Sequence, residues 1–117
     1  RRIDMAPAEV DVIALYDCFS ITALMMIEDM GFCAKGEGGA FVAGGRLGFD
    51  RPRASGGLPC NTHGGLMSHA YVLGIAHVVE LVRQLRGEAA NQVSDARVGL
   101  YGGFTAEEAA TLILRRA

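Results

Sequence analysis

The chain has 117 residues, half of them apolar, with 11 basic and 13 acidic side chains. This length suits one folded domain, and the apolar content predicts a packed core rather than disorder. The charges nearly cancel and no basic stretch alternates with aromatic residues, so nucleic-acid binding is not expected. Charged residues interrupt every apolar stretch before it reaches membrane-spanning length, so no membrane span is expected either.

The first half of the chain predicts a strand, a helix and a long loop. Residues 10–16 are mostly apolar and rich in β-branched side chains, as in a strand buried on both faces. Residues 21–30 predict a helix that is apolar on nearly every side and therefore needs to be covered by further structure. Residues 31–65 contain 11 of the 16 glycines. They predict a long loop with a short hairpin near residues 40–45, of a length that usually serves a binding site.

The second half predicts one long helix followed by two strands. Residues 66–86 repeat apolar side chains every three or four positions, and Gly87 follows as a helix stop. Residues 96–101 predict a strand, Gly102 and Gly103 a turn, and residues 109–114 a final strand. The alternation of helices and strands predicts an α/β layered sheet with packed helices.

The cysteines predict a reducing environment. Cys18, Cys33 and Cys60 show no CxxC spacing, so neither a metal site nor a disulfide framework is expected. We therefore expect a cytoplasmic protein without a metal ion. No cofactor is expected either. The chain opens on Arg1 and Arg2 rather than on Met, which indicates a piece of a longer protein.

Two stretches carry a family resemblance. Residues 61–74, Asn-Thr-His-Gly-Gly-Leu-Met-Ser-His-Ala-Tyr-Val-Leu-Gly, resemble the second signature of thiolases, in which an Asn and a Gly pair precede Gly-His-Pro-x-Gly. Residues 16–19, Tyr-Asp-Cys-Phe, resemble the Asn-Glu-Ala-Phe loop of that superfamily. They are closer still to the His-Asp-Cys-Phe form of its lipid-transfer and sterol-carrier branch, which Gly-Gly-Ala-Phe at residues 38–41 also resembles.

The resemblance implies a partial domain. A thiolase is a duplicated α/β fold whose two halves share an active site for acyl-CoA thioesters. Residues 1–117 resemble the C-terminal half without its first strand and helix, so the sheet is expected to be incomplete. The nucleophilic cysteine would lie in the missing N-terminal half, and the complete protein is expected to be a homodimer.

The resemblance also implies an acid/base pair. It places Tyr71 at the family's catalytic histidine, which stabilises the charge that develops on the thioester oxygen. Tyr16 falls where an Asn or His orders a catalytic water, with Asp17 and Phe19 as supports of the loop. Since a phenol can donate a hydrogen bond or act as a weak acid, Tyr71 and Tyr16 are the candidate catalytic residues. The alternative is that both are packing aromatics.

Further residues near these motifs are candidates for substrate binding. His69 is one, although a small local shift would place it at the catalytic position, and on one continuous helix it could not point the same way as Tyr71. The family's second cysteine has no counterpart in residues 98–103, where backbone N–H groups could instead bind an oxyanion. The candidate binding residues are His63, Gly64, Gly65, His69, Gly102 and Gly103.

With tyrosines at positions 16 and 71 and without the second cysteine, the chain resembles the thiolase-like aldolases of steroid side-chain breakdown. Those enzymes cleave a β-hydroxyacyl-CoA by retro-aldol chemistry and work with a small partner domain of OB-fold type. We therefore expect part of a carbon–carbon lyase. A sterol-carrier-type thiolase, that is an acetyl-CoA acyltransferase with its cysteine in the N-terminal half, is one alternative. A non-catalytic scaffold subunit is the other.

Overall fold

A three-stranded mixed sheet forms the centre of the protein. The computed structural model describes residues 4–117, so Arg1 and Arg2 lie outside the described residues. Strand β1 (Val12–Leu15) runs parallel to β2 (Val98–Phe104), which pairs in antiparallel fashion with β3 (Ala109–Arg115). The predicted α/β fold class is confirmed.

Strand β1 is covered on both faces, as its β-branched sequence predicts. Alternate side chains of a strand point to opposite faces. Ile13 and Leu15 therefore join the core cluster that contains α1 (Ser20–Asp29). Val12 and Ala14 join the cluster on the other face, which contains Leu81 of α4 (Ile75–Arg86). All four residues of β1 are buried, so this strand fixes the positions of both helices.

Helix α1 buries only one of its apolar sides. Thr22, Met26 and Ile27 are buried, whereas Ile21 is 60% and Met25 is 50% exposed. A helix with this composition is expected to be covered in the complete molecule. That expectation stays a prediction, because it concerns structure outside this chain.

The hairpin predicted near residues 40–45 is wrong. A short helix, α2 (Gly38–Val42), occupies this stretch and is followed by a 3₁₀ turn, Ala43–Gly45. The Gly38 N–H donates a hydrogen bond to Glu28 Oε1 at 2.9 Å, which fixes the start of α2 against α1. This contact joins residues ten positions apart, so the local glycine pattern does not reveal it.

The single helix predicted over residues 66–86 is two helices. Helix α3 (Gly65–Ser68) ends at His69, whose backbone is extended, and α4 begins at Ile75. Between them Leu73 has a φ of 56°, outside the helical region. Tyr71 therefore does not lie on a helix, and the expectation that helix geometry turns His69 and Tyr71 apart loses its basis.

The turn predicted at Gly102 and Gly103 is also wrong, because both lie inside β2. A Cβ at Gly102 would lie 2.9 Å from Leu15 Cδ2 and would overlap Met30 Cε, so the glycine allows close packing rather than a turn. The turn comes later. Thr105 N–H donates to Glu108 O at 2.8 Å, and Glu108 N–H donates to Thr105 Oγ1 at 3.1 Å.

A buried polar network ties α4 to the segment before β2. Gln84 is fully buried, and its Nε2 donates to Thr62 Oγ1 at 2.9 Å and to Asn91 O at 2.7 Å. Its Oε1 accepts the Val93 N–H at 2.9 Å. Glu80 accepts the Thr62 hydroxyl at 2.6 Å, so the network also anchors the chain just before His63.

Within residues 4–117 the structure has no helix long and apolar enough to span a membrane. The same part of the chain contains no group of three or more His, Cys, Asp or Glu side chains arranged to bind a metal ion.

We predict that Gln84→Leu lowers the free energy of unfolding by about 3 kcal/mol, because the buried Val93 N–H and the buried Thr62 hydroxyl each lose a hydrogen bond to Gln84. Urea unfolding followed by circular dichroism measures the change. Arg83→Gln, at an exposed position of the same helix, should stay within about 0.5 kcal/mol of the parent. Equal effects of the two substitutions would contradict this account of the network.

Candidate active site

The two predicted catalytic tyrosines lie in contact. Tyr16 follows β1, and its N–H donates to Gly102 O at 2.8 Å, which continues the parallel pairing. Tyr71 lies in the segment between α3 and α4 and is 63% exposed. The two hydroxyl oxygens are 2.9 Å apart, so one phenol donates to the other. Their catalytic roles stay predictions, but the fold brings together side chains 55 positions apart in sequence.

The contact changes the acidity of Tyr16. The hydrogen bond with Tyr71, together with a smaller contribution from desolvation, raises the pKa of Tyr16 to about 12. Tyr16 therefore keeps its proton at neutral pH. In this state its hydroxyl is a hydrogen-bond donor and a weak acid rather than a base.

Asp17 joins the end of β1 to both α3 and α4. Its carboxylate accepts the Leu66 N–H, with both oxygens at 3.2 Å, and Oδ1 lies 2.9 Å from His77 Nε2. Gly65 makes this approach possible, because it has a φ of 68° and a Cβ there would overlap Asp17 Oδ2. Gly65 was predicted to bind substrate; that role stays a prediction, while its contact with Asp17 is structural.

Asn61 holds the loop that leads into the site. Its side-chain amide pairs with the backbone of Leu15 as a neighbouring strand would. Oδ1 accepts the Leu15 N–H at 2.8 Å, and Nδ2 donates to Leu15 O at 2.9 Å. Its own N–H donates to Ile13 O at 3.0 Å. These bonds fasten the long loop along the edge of β1, and the chain then reaches Leu66, which binds Asp17, the neighbour of Tyr16.

Three histidines lie in a row beside Asp17. The His63 ring centre is 5.1 Å from that of His69 and 4.8 Å from that of His77, and the latter pair is edge to face. His77 is fully buried and its Nδ1 has no hydrogen-bond partner within residues 4–117; neither ring nitrogen of His63 has one there either. Burial and the neighbouring His77 lower the pKa of His63, so this imidazole is neutral at physiological pH.

A cleft of about 250 Å³ opens beside Tyr16. Tyr16 and Tyr101 lie on its walls with Gly74 and Gly103 between them. A Cβ at Gly103 would lie 2.6 Å from the Tyr101 hydroxyl and one at Gly74 would overlap it, so both glycines make room for this phenol. The remaining lining residues are Leu73, Phe104, Thr105, Glu108, Ala109 and Ala110.

The predicted binding residues lie at four places. Gly103 lines the cleft. Gly102 lies behind it, buried against Leu15 and Met30, and Gly64 starts α3 with a φ of 102°. The remaining three, His63, His69 and Gly65, lie around the histidine row and Asp17. The part of these residues in binding a substrate stays a prediction.

Sequence reasoning missed His77 and Tyr101. A signal for His77 was present, since it lies four residues before Leu81 on the buried side of the amphipathic helix α4. A polar side chain in such an apolar stripe usually has a specific partner. Tyr101 gave no comparable signal, because the resemblance drew attention only to the glycines around it.

Comparison with known proteins agrees with the resemblance. The chain matches the family described as Thiolase C-terminal domain-like over residues 2–116. It is 39% identical over 108 residues to the steroid side-chain-cleaving aldolase of Thermomonospora curvata, covering 92% of this chain and 26% of that protein. It is 40% identical over 120 residues to sterol carrier protein 2 of Rattus norvegicus, covering 99% and 21%.

A solved structure named Ltp2-ChsH2(DUF35) aldolase has a TM-score of 0.80 with this chain at 37% identity. The match covers 96% of this chain and 28% of that one. The chain therefore spans between about a fifth and just over a quarter of the length of these proteins. The resemblance to thiolases and to their sterol-carrier and aldolase branches is confirmed.

We predict that Tyr71→Phe lowers the pKa of Tyr16 from about 12 toward the value of 10.0 of an ordinary phenol, because the hydrogen bond that raises it is lost. Phenolate absorbance during an alkaline titration measures this, and the difference between the parent and Tyr16→Phe isolates the Tyr16 signal. This chain has three tyrosines and no tryptophan, which keeps the signal simple.

Tyr101→Phe is the matched control and should leave the pKa of Tyr16 near 12, since the main cause of the shift remains. A Tyr16 that titrates like an ordinary phenol in the parent would contradict the contact.

Proposed function

The chain belongs to the thiolase C-terminal domain-like family, and we propose that it supplies an acid/base tyrosine pair to a larger enzyme. This enzyme cleaves a carbon–carbon bond of a β-hydroxyacyl-CoA thioester by retro-aldol chemistry. The single observation that carries the proposal is the 2.9 Å contact between the hydroxyls of Tyr71 and of Tyr16, which lines an open cleft.

The reaction needs one proton to move from oxygen to carbon. The β-hydroxyl loses its proton, its oxygen electrons form a carbonyl, and the Cα–Cβ bond breaks. The electron pair of that bond forms the enolate of the thioester, which takes a proton at Cα. The products are a ketone and a shorter acyl-CoA. Atoms and electrons balance, and no external oxidant or reductant enters the equation.

Two phenols in contact can pass this proton without either being ionised at the start. In one concerted step Tyr71 accepts the β-hydroxyl proton, its own proton moves to Tyr16, and Tyr16 gives its proton to Cα, so that both phenols end neutral. The raised pKa of Tyr16 suits the donor end of this relay, since the group stays protonated at neutral pH. During this transfer the Tyr16 O–H faces the negative charge that develops on the thioester, an interaction typically worth about 3 kcal/mol.

The names of similar proteins support the substrate class. The Thermomonospora curvata protein is named a steroid side-chain-cleaving aldolase, and the solved structure is an aldolase named together with a DUF35 protein. We extend the substrate class and the partner to the complete enzyme that contains this chain. Its complete enzyme acts on a steroid side-chain thioester, contains the N-terminal thiolase half, forms a homodimer, and works with a small partner domain of OB-fold type.

A second candidate is thiolysis of a 3-ketoacyl-CoA, favoured by the 39% identity over 104 residues to a protein of Methanothermobacter thermautotrophicus named acetyl-CoA acetyltransferase. Its nucleophilic cysteine would come from the N-terminal half. The described residues offer little to help it, since no cysteine lines the cleft and burial raises the pKa of Cys60 to about 12. Retro-aldol cleavage is therefore the leading proposal.

We predict that Tyr71→Phe lowers kcat of the complete enzyme by at least about 100-fold on a β-hydroxyacyl-CoA with a steroid side chain, because the proton relay is broken. Mass spectrometry of the released ketone and acyl-CoA measures turnover. Tyr71 is 63% exposed, so this substitution should leave urea unfolding unchanged.

Thiolysis by the complete enzyme, measured with a 3-ketoacyl-CoA and free CoA, is compared with its retro-aldol turnover. Thiolysis without retro-aldol turnover, or Tyr71→Phe with parental turnover, would show that the proposal is wrong.

A further inference from the structure

We propose that Asp17, oriented by His77, is the positioning residue that holds Tyr71 at hydrogen-bonding distance from Tyr16. The geometric part of this inference stands on the contacts of the chain itself. Its consequence for turnover rests on the proposed function.

Asp17 holds both ends of the segment that carries Tyr71. Leu66, five residues before Tyr71, donates its N–H to the carboxylate at 3.2 Å. His77, six residues after Tyr71, lies with Nε2 2.9 Å from Oδ1. Asp17 is also the covalent neighbour of Tyr16. The Asp17 carboxylate is thus linked to Tyr16 by the chain, and to Tyr71 by hydrogen bonds at both ends of the segment that carries it. Its position therefore sets the distance between the two phenols.

The segment between these anchors has few other restraints. Tyr71, Val72 and Leu73 are 63%, 50% and 60% exposed, so core packing does not place them. The backbone is extended at His69 and has a positive φ at Leu73, so no helical hydrogen-bond ladder runs through the segment. A stretch with little buried apolar contact takes its position from the points where it is fixed.

His77 is placed to keep the Asp17 carboxylate in one orientation. It is fully buried, with its ring centre 4.8 Å from that of His63 and 6.2 Å from that of Tyr101, so its ring cannot turn freely. The contact with a carboxylate requires that Nε2 carries a proton and donates it. Burying such a pair carries a desolvation penalty, which a purely apolar contact at this position would avoid.

Asp11 provides a matched control at the other end of β1. Its Oδ2 accepts the N–H groups of Arg97 and Val98, each at 2.9 Å. Asp11 and Asp17 therefore both bind the main chain of a distant segment from positions that flank the same strand. Only Asp17 binds the segment that carries Tyr71.

The first experiment measures the tyrosine contact without any assay of activity. Phenolate titration of the complete protein should place Tyr16 near pH 12 in the parent and in Asp11→Ala. In Asp17→Ala the Tyr16 pKa should fall toward 10.0, because Tyr71 is released. The same Tyr16 pKa in Asp17→Ala and Asp11→Ala would overturn the proposal.

Substitutions at His77 test the second part and do not depend on Asp17→Ala folding. His77→Gln keeps an N–H donor toward Asp17, whereas His77→Leu keeps the bulk and removes the donor. His77→Leu should lower the Tyr16 pKa and His77→Gln should largely restore it. Equal titrations in the two variants would show that His77 acts only as a packing residue, which overturns its assigned role.

Kinetics of the complete enzyme then separate positioning from binding. Asp17→Asn and His77→Leu should lower kcat about 100-fold with KM nearly unchanged, since displacement of a catalytic group by about 1 Å has an effect of that size. His77→Gln should recover most of the loss. A rise in KM with unchanged kcat would contradict a positioning role.

The two proposals fail in different ways. If the parent enzyme has no retro-aldol turnover, the proposed function is wrong, yet the titrations still decide whether Asp17 positions the tyrosines. If turnover is present and the Asp17→Ala and Asp11→Ala titrations agree, the function stands and the positioning role is wrong.

Discussion

The carboxylate of Asp17 is the interaction on which the candidate site depends. It accepts hydrogen bonds from the start of α3 and from α4 while its chain neighbour Tyr16 continues the parallel pairing of β1. Gly65 has to lack a side chain for this approach. The chemistry that we assign to the two phenols therefore rests on the fully buried His77, which contacts the Asp17 carboxylate, and on the absence of a side chain at Gly65.

The buried strand β1 provides the rigid base for this arrangement. Its two faces pack against different helices, and the amide of Asn61 completes the hydrogen bonding along its free edge. The loop after Asn61 is fixed a second time by the Thr62, Glu80 and Gln84 network. If the two phenols moved independently, their hydrogen bond would be broken for part of the time that a substrate is bound. Preorganisation of this kind therefore favours proton transfer between them.

Features that depend on neighbouring residues could be predicted from the sequence. Features that depend on contacts between residues far apart in the sequence could not. The β-branched run of β1 and the apolar repeat of α4 are local, and both elements form where expected, with shorter bounds. Long-range contacts ended the predicted helix at Ser68, since Asp17 binds Leu66 and Tyr16 binds Tyr71. The pairing of Tyr16 with Tyr71 itself came only from family resemblance, because no periodicity relates residues so far apart.

A double-substitution cycle on Tyr16 and Tyr71 tests the central claim most directly. In the complete enzyme, kcat for retro-aldol cleavage would be measured for Tyr16→Phe, Tyr71→Phe and the double variant. Two groups that pass one proton act as a unit, so the double variant should be about as slow as the slower single variant. Independent losses that multiply in the double variant, or single variants with parental kcat, would contradict the relay.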